Sequence, residues 1–329
     1  MTEKLKQINI EELENLMFTV LQNTGLKDED CQWVTEIFMR ATYRGVGHHD
    51  VYSLPGRIKG LLKNDLNNEP QIDMIAKFKG LEVYDGDNGL GEQNCYFITK
   101  RSQELADENG VSLVSIKNSN HFLAAAPYVE LSAEEGYFSV IFSSVGNVMG
   151  VGDSPRIIGN GPLGYSIKGE QENVLFDICL AYSSYGKLHA RAKAGEKVPE
   201  YWGKDKDGEY TANPSEIIDG GIPLPIGEHK GFGLSMMIEF ITSVLAGGEI
   251  GFEKEKTYGR YTHTIITLKP EKINENYKDN VDKLINDMKE MYPDLHIPGD
   301  SSYRHKQKVQ NRGYFELKES IIAELNSFS

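Results

Sequence analysis

One junction near the middle of the chain constrains its fold more than any other segment. The strand-like run VSLVSIK at residues 111–117 passes into Asn-Ser-Asn-His at 118–121 and then into three alanines at 124–126. We predict a strand followed at His121 by a helix, at the rim of a sheet where ligands gather. The free N–H groups and small side chains of such a helix start would let a phosphate approach the backbone closely. Simple capping by Asn120, beside an exposed histidine, is the alternative that these residues leave open.

Strand-like and helix-like segments alternate along the middle of the chain. IDMIAKF and LEVYDG flank Lys79-Gly80, a hairpin signal, and the strand-like runs YFSVIFSS, YSIKG and NVLFDICLA follow. Because tight hairpins interrupt the alternation, a mixed sheet is favoured over a purely parallel one. Both ends of the chain carry helical patterns, and HIPGDSSY is predicted as a loop before a final helix from about Tyr314. We expect the two ends to pack together as one helical layer.

The composition limits the classes of partner. The 329-residue chain has a formal net charge of -14, so it lacks the basic surface that nucleic acids and anionic membranes require. We find no secretion signal and no apolar run long enough to span a membrane. The cysteines Cys31, Cys95 and Cys179 are odd in number and far apart, which fits a reducing compartment and gives no zinc pattern. We therefore expect a cytoplasmic protein with a small-molecule ligand.

The segment RGVGHHDVYSLP offers the first candidate chemistry. His48 and His49 are adjacent, Asp50 follows them, and a preceding glycine and a later proline indicate a loop. A loop histidine is a natural general acid, because its proton moves near neutral pH. A surface turn with incidental histidines is an equal alternative. Together with His121 these side chains are also zinc-ligand types, which makes a metal-dependent hydrolase a remote third alternative.

Three blocks carry a resemblance to a known family: KNSNHF, YGKLHARAKAGEKVPEYWGKDKDGEYTANP and GGIPLPIGEHKGFGLSMMIEFITSVLAGG. In their order and spacing the chain resembles the malate/L-lactate dehydrogenase family that lacks a Rossmann fold, with its ureidoglycolate, sulfolactate and diketogulonate relatives. The resemblance implies an α/β (mixed α+β) fold, with a mostly antiparallel cofactor-binding sheet flanked by helices and a helical domain formed by both chain termini. It also implies a homodimer whose active site lies near the subunit interface.

The expected domain division follows the same resemblance. Residues 1–68 with 290–329 would form the helical domain. Residues 69–112 with 250–289 would form an α/β connecting domain, and residues 113–249 would form the NAD(P)-binding mixed-sheet domain.

The resemblance further implies an activity and a set of site residues. The activity is hydride exchange between NAD or NADP and a small 2-hydroxy or 2-keto acid, with His49 or His121 as the acid/base and no metal. The choice between the two histidines and between the two cofactors stays open. The implied cofactor contacts are His121, Phe122, Leu123, Ala124, Ala125, Asp177, Ile178, Cys179, His229, Lys230, Gly299 and Asp300.

The substrate loop departs from the family pattern. The family's Ser-His-Gly-Val is His48-His49-Asp50-Val51 here, and Ser53 stands where the family commonly has an arginine. An arginine is the natural bidentate clamp for a substrate carboxylate. The candidates to replace it are Arg44, Arg57 and His48, and Asn120 is a further substrate-binding candidate. A homologue that binds a dinucleotide or metabolite but has lost turnover is the alternative function.

Overall fold

The architecture is built on one seven-stranded sheet. The computed structural model describes residues 4–45, 47, 49–251 and 258–329. Its strands are β1 (Leu5–Asn9), β2 (Asp73–Phe78), β3 (Leu81–Asp85), β4 (Val111–Ser119), β5 (Phe138–Ser143), β6 (Leu163–Lys168), β7 (Asn173–Ile178), β8 (Gly203–Lys204), β9 (Ile222–Pro223), β10 (Tyr261–Leu268) and β11 (Tyr314–Lys318). Its helices are α1 (Ile10–Gln22), α2 (Asp28–Arg44), α3 (Leu54–Leu62), α4 (Gly91–Asn109), α5 (Ala126–Glu134), α6 (Tyr185–Ala194), α7 (Pro214–Ile218), α8 (His229–Glu239), α9 (Tyr277–Met291), α10 (Asp300–Arg312) and α11 (Glu319–Asn326).

The large sheet is mixed and mostly antiparallel, as the hairpin signals predict. Its strand order is β2–β3–β4–β10–β5–β6–β7, and of its neighbouring pairs β3 and β4 run parallel while the others run antiparallel. The hairpin from β2 to β3 turns at Lys79-Gly80, where Lys79 adopts a φ of 52°. The central strand β10 joins two parts of the chain that are distant in sequence, because Ile265 pairs with both Val114 and Ile141.

Successive residues of the central strands face opposite layers, as the pleat of a strand requires. Ile141 of β5 belongs to the main core, which it shares with residues of α1, α2, α4 and α5. The next residue, Phe142, packs on the other face with Leu180 and with Ile238 of α8. After Glu239, α8 continues as a π-helical turn, Phe240–Val244. The sheet is therefore covered by helices on both faces.

The two ends of the described chain pair as strands, which the sequence pattern did not predict. β1 and β11 form a two-stranded antiparallel sheet in which Leu5 lies opposite Lys318 and Asn9 lies opposite Tyr314. The predicted final helix from Tyr314 is wrong, because Phe315 and Leu317 alternate inward as in a strand and the helix begins at Glu319. The predicted loop HIPGDSSY is wrong in its second half, since α10 begins at Asp300.

The junction after β4 also differs from its prediction. The helix begins at Ala126 and not at His121, so residues 120–125 form a non-helical segment, here called the junction segment. Leu123 has a φ of 73°, a left-handed conformation that a right-handed helix cannot contain. The first N–H of α5, that of Ala126, donates to Asp177 Oδ2 at 3.0 Å. A side chain from β7 therefore caps the start of this helix.

The remaining expectations concern the domain boundaries and membrane-spanning helices. The expected domain boundary between residues 112 and 113 lies within β4, and strands on both sides of it share the large sheet. Among the described parts of the chain, none of the helices is both long enough and apolar enough to cross a bilayer.

Candidate active site

A cavity lies where the junction segment, the end of β7 and the start of α6 meet. It has a volume of about 460 Å³, within the range of small-molecule sites. Many of the residues singled out from the sequence line it together: Arg44, His49, His121, Phe122, Leu123, Ala124, Ala125, Asp177, Ile178 and Cys179. The left-handed backbone of Leu123 falls in this wall, and such strained positions cluster at functional sites.

Other predicted residues lie outside this cavity. Those among the described residues are Arg57, Asn120, His229, Lys230, Gly299 and Asp300, while His48 is outside the part of the chain that the structure describes. His229 and Lys230 are exposed at the first turn of α8. Gly299 packs against Leu175 of β7, and Asp300 accepts a hydrogen bond from the N–H of Ile297.

Asn120 has a structural position behind the cavity wall. Its Nδ2 donates to the carbonyl oxygens of Asn88 and Gly89, at 3.1 and 2.8 Å, and its Oδ1 accepts from the N–H of Gly259 at 2.9 Å. Its side chain is thus occupied in holding two loops against the junction segment. Neither simple capping of α5 nor contact with a ligand in the cavity fits this arrangement.

His121 is held firmly by its neighbours. Its Nδ1 lies 3.0 Å from the backbone N of Leu123 and 3.1 Å from Nη2 of Arg57. The imidazole of His49 stacks on its ring with a centroid separation of 5.4 Å and an interplanar angle of 10°. Burial lowers the pKa of His121 well below its ordinary value, and the charge of Arg57 and the neighbouring His49 and His263 act in the same direction.

Arg57 contacts Nδ1 of His121 and is itself held in place by Glu92. Its Nε donates to Oε1 of Glu92 at 2.9 Å, and Glu92 is fully buried in the first turn of α4. Burial raises the pKa of Glu92, while the charge of Arg57 opposes the rise. Gly91 lets the start of α4 lie close to the junction segment, because a Cβ at that position would lie 2.2 Å from the carbonyl oxygen of Asn120.

Arg44 provides positive charge at the cavity wall. It is the last residue of α2, and its Nε and Nη1 are buried without a hydrogen-bond partner in the described part of the chain. Burial raises the pKa of Asp177, and the positive charge of Arg44 opposes that rise. Because the Arg44 residue also lines the cavity, its guanidinium favours an anionic ligand there, such as a carboxylate.

The sequence reasoning missed one wall of the cavity. The segment from Ala181 to Lys187 lines it, together with Val145, Val148, Asn160 and Pro162. Ser184 caps α6 by accepting a hydrogen bond from the N–H of Lys187 at 3.3 Å. The helix start that borders the cavity with a cationic side chain is therefore that of α6. Its signal was the pair Ser183-Ser184 directly before the block YGKLHARAK, a recognisable N-cap pattern.

Comparisons with known proteins place this site in a family. A family profile described as malate/L-lactate dehydrogenase matches residues 8–326. The chain belongs to the malate/L-lactate dehydrogenase family. It is 28% identical to a malate dehydrogenase of Pyrococcus abyssi, over 99% of this chain and 95% of the relative. It is 29% identical to an L-sulfolactate dehydrogenase of Methanocaldococcus jannaschii, over 94% and 92% of the two chains.

Solved structures extend the family likeness to the fold. The sulfolactate dehydrogenase structure from Methanocaldococcus jannaschii superposes with a TM-score of 0.90 at 26% identity, covering 98% of this chain and 96% of that one. The delta1-piperideine-2-carboxylate reductase structure from Pseudomonas syringae has a TM-score of 0.89 at 23% identity, covering 98% and 100%, and supports the fold alone. The mixed sheet with its helices is thus the fold of this dehydrogenase family.

The described residues offer no ligand set for the hydrolase alternative. In ranges 4–45, 47, 49–251 and 258–329, no group of three or more His, Cys, Asp and Glu side chains is placed to hold a metal ion. The carboxylate of Asp50 accepts hydrogen bonds from the N–H groups of Gly47 and Tyr52, at 2.7 and 3.1 Å. Asp50 therefore closes the turn that presents His49.

Proposed function

We propose that this family member is an NAD(P)-dependent oxidoreductase that transfers a hydride between nicotinamide and C2 of a small 2-keto or 2-hydroxy acid. The observation that carries the proposal is the cavity in which the stacked imidazoles of His49 and His121 share a wall with the guanidinium of Arg44. Besides the hydride, reduction of such an acid requires a proton and an anchor for the carboxylate. The relatives named as malate and sulfolactate dehydrogenases support this substrate class.

The lining of the cavity fits the nicotinamide end of the cofactor. The apolar part of its wall comes from Phe122, Leu123, Val145, Val148 and Pro162. When bound, the cofactor supplies the hydride for reduction or accepts it for oxidation. We do not expect its phosphates at the start of α5, because Asp177 already accepts the N–H of Ala126. The start of α6, with Lys187 beside the cavity, suits an anionic group better.

The side chains divide the remaining tasks. Arg44 holds the substrate carboxylate. It thereby takes the role of the arginine that the family commonly has at position 53, where this chain has a serine. His49 and His121 serve the carbonyl oxygen, and a positioned imidazole contributes roughly 10²–10⁴-fold to the rate of proton transfer. The junction segment keeps water from the covered side of the site, because Phe122 and Leu123 are buried there.

A thermal-shift panel followed by an absorbance assay at the nicotinamide band tests this function. At 100 times its dissociation constant, NADH or NADPH should stabilise the fold by about 2.7 kcal/mol, and the pair also decides the cofactor choice. Turnover of a keto acid with one of them is the expected result. Binding without turnover on any keto or hydroxy acid would favour a homologue that has lost activity. Absence of any shift with either cofactor would remove the dehydrogenase proposal.

We also propose that the chain forms a homodimer through α8 and its π-helical extension. Their exposed large apolar side chains recur at helical spacing along one stripe: Leu234, Met237, Phe240, Val244 and Leu245. The opposite face of α8 is buried, where Ile238 packs with Leu180 next to the cavity-lining residues of β7. An apolar stripe on a single helix can pack against itself about a twofold axis, so a second copy of the chain is the natural occupant.

Light scattering with two matched variants tests this interface. Phe240→Lys should convert a dimer into a monomer. Phe78→Lys, which places the same charge on the exposed edge strand β2, should leave the dimer intact. A monomeric wild-type protein, or a dimer that Phe78→Lys disrupts and Phe240→Lys does not, would contradict the assignment.

Two finer expectations remain proposals. One is that residues 1–68 and 290–329 act as one helical unit, which the pairing of β1 with β11 and the packing of α2 with α10 support. This unit would lie against a sheet that binds its cofactor without a Rossmann fold. A cytoplasmic location is supported by three cysteines without a disulfide, two of them buried.

A further inference from the structure

We propose that Arg57, anchored by Glu92, is a positioning residue that fixes His121 as a neutral imidazole with its hydrogen on Nε2. This assigns different tasks to the two histidines. His121 donates a hydrogen bond to the substrate oxygen and keeps its proton, and His49 exchanges the proton. The assignment of tasks rests on the proposed function, whereas the state of the His121 ring rests on contacts within the protein.

Two hydrogen-bond donors converge on Nδ1 of His121. The backbone N–H of Leu123 can only donate, and so can the guanidinium of Arg57. Both lie within hydrogen-bond distance of His121 Nδ1, at 3.0 and 3.1 Å. Nδ1 must therefore present its lone pair, and the single hydrogen of the neutral ring must lie on Nε2. An imidazolium would direct a third N–H at these two donors, one of which carries a permanent charge.

Both donors, the guanidinium of Arg57 and the N–H of Leu123, are held rigidly by other contacts. Arg57 Nε donates to the buried carboxylate of Glu92 at 2.9 Å, and Nη2 also donates to the carbonyl oxygen of His121 at 3.3 Å. Leu123 places its N–H on the ring through the left-handed conformation of the junction segment. Neither donor can turn away without breaking these contacts, so the tautomer is fixed before any ligand binds.

The other ring nitrogen of His121, Nε2, is the one available to a ligand. His121 lines the cavity, and its Nε2 has no hydrogen-bond partner among the described residues, so the N–H is available to a ligand. The titratable groups that face the ring from its surroundings are His49 on one face, Arg57 at Nδ1, and Tyr261 and His263 from β10. His263 is fully buried, and its own pKa falls to about 4 because of that burial. None of these groups favours a positive charge on His121.

A bound reduced nicotinamide would supply a hydride, with both of its electrons, to C2 of the keto acid and would itself be oxidised. The carbonyl π bond breaks, and the oxygen takes a proton from the protonated ring of His49, which becomes neutral. The Nε2–H of His121 donates to that oxygen as negative charge develops on it and is not transferred. Oxidation of the hydroxy acid runs through the same steps in reverse.

Nitrogen NMR of the ligand-free wild-type protein tests the tautomer directly. The signals of His121 are those missing from the spectrum of His121→Gln. We expect an unprotonated Nδ1 and a protonated Nε2, unchanged between about pH 6 and pH 8. A protonated Nδ1, or titration of His121 within that window, would overturn the inference. Because no cofactor or substrate is present, this result is independent of whether the proposed reaction takes place.

Variants of Arg57 provide the second readout. Arg57→Met is combined with Glu92→Gln so that no buried carboxylate is left unpaired, and His121 should then titrate at a higher pH than in the wild type. In the turnover assay the double variant should lose about 10- to 100-fold in kcat/KM, with a new pKa in its pH profile. Arg57→Lys, which keeps a cationic donor, should recover part of the loss. Lys59→Met, on the exposed side of the same helix, is the control and should behave as wild type. An unchanged pH profile in a folded double variant would reduce Arg57 to a purely structural residue.

Discussion

Replacement of Arg44 by methionine is the sharpest test of how this chain, which has a serine at position 53, would bind the carboxylate of an acid substrate. The side chain lies at the cavity wall with two guanidinium nitrogens that have no protein partner among the described residues. Methionine keeps much of the length and apolar contact of the side chain but removes the charge and the donors. We expect the substrate KM to rise while kcat changes little, because a carboxylate clamp acts equally on the bound substrate and on the transition state.

The magnitude follows from the bidentate pair that a guanidinium and a carboxylate commonly form. A hydrogen bond to a charged group contributes about 1.5–3 kcal/mol. Two such bonds to one carboxylate would contribute about 3 kcal/mol at the lower end of that range, which corresponds to roughly 100-fold in KM at 1.4 kcal/mol for each factor of ten. Arg44→Lys keeps the charge but loses the fork, so we expect an intermediate rise of about 10-fold.

The assay compares a keto acid with the matching methyl ketone that lacks the carboxylate. The wild-type enzyme should prefer the acid strongly, and Arg44→Met should lose that preference without losing activity on the ketone. Arg191→Met, which removes a positive charge from the exposed side of α6, is the control for a change in net charge. If KM for the acid stays within about twofold of wild type in a folded Arg44→Met protein, another group anchors the carboxylate and the reasoning fails.

Three further perturbations probe the frame around the site. Gly91→Ala would place a Cβ 2.2 Å from the carbonyl oxygen of Asn120, so it should cost about 1–3 kcal/mol in urea unfolding and lower kcat/KM by displacing the junction segment. Asn120→Ala removes its side-chain bonds to Asn88, Gly89 and Gly259 and should destabilise the fold by about 2–4 kcal/mol in the same assay. Buried Glu82, whose pKa is lowered to about 2 chiefly by the hydrogen bond from Arg101, should stabilise the fold by about 2–3 kcal/mol above pH 5 or so. Because this pKa lies below that of the unfolded chain, the advantage over Glu82→Gln should shrink as the pH falls towards 2 in acid unfolding.

The parts of the fold that could be predicted from the sequence are those set by local pattern. The β2–β3 hairpin has its turn residues and its two strands within one short segment. The strand β11 could not be predicted from its local sequence. Its partner β1 lies about 300 residues away, and five residues with two inward side chains resemble the first turns of a helix. The helix α10 lacks an apolar stripe, since Val309 is its only fully buried residue and Lys306 binds to Glu130 and Glu134 instead.

In the candidate site too, features set by local sequence could be predicted, whereas features set by distant contacts could not. The histidines and the strand around Asp177 were predicted because their residue types stand out in the sequence. The start of the helix after His121 was misplaced, because no local rule gives a leucine a left-handed backbone, and Leu123 adopts one here within the contacts of a folded site. The capping of Ala126 by Asp177 joins residues 51 positions apart. Arg57 was considered as a substrate ligand, and its place behind His121 depends on Glu92, which nothing in the loop sequence indicates.

The pairing of β1 with β11 has a consequence for how the protein is made. During synthesis, residues 5–9 cannot pair until residues 314–318 have left the ribosomal exit tunnel. Until then α11, which contacts α1 in the folded protein, is also absent. A chain that stops short of residue 314 cannot form this pair of strands. The two-stranded sheet therefore closes only after residues 314–318 have been made, which places this long-range pairing late in folding.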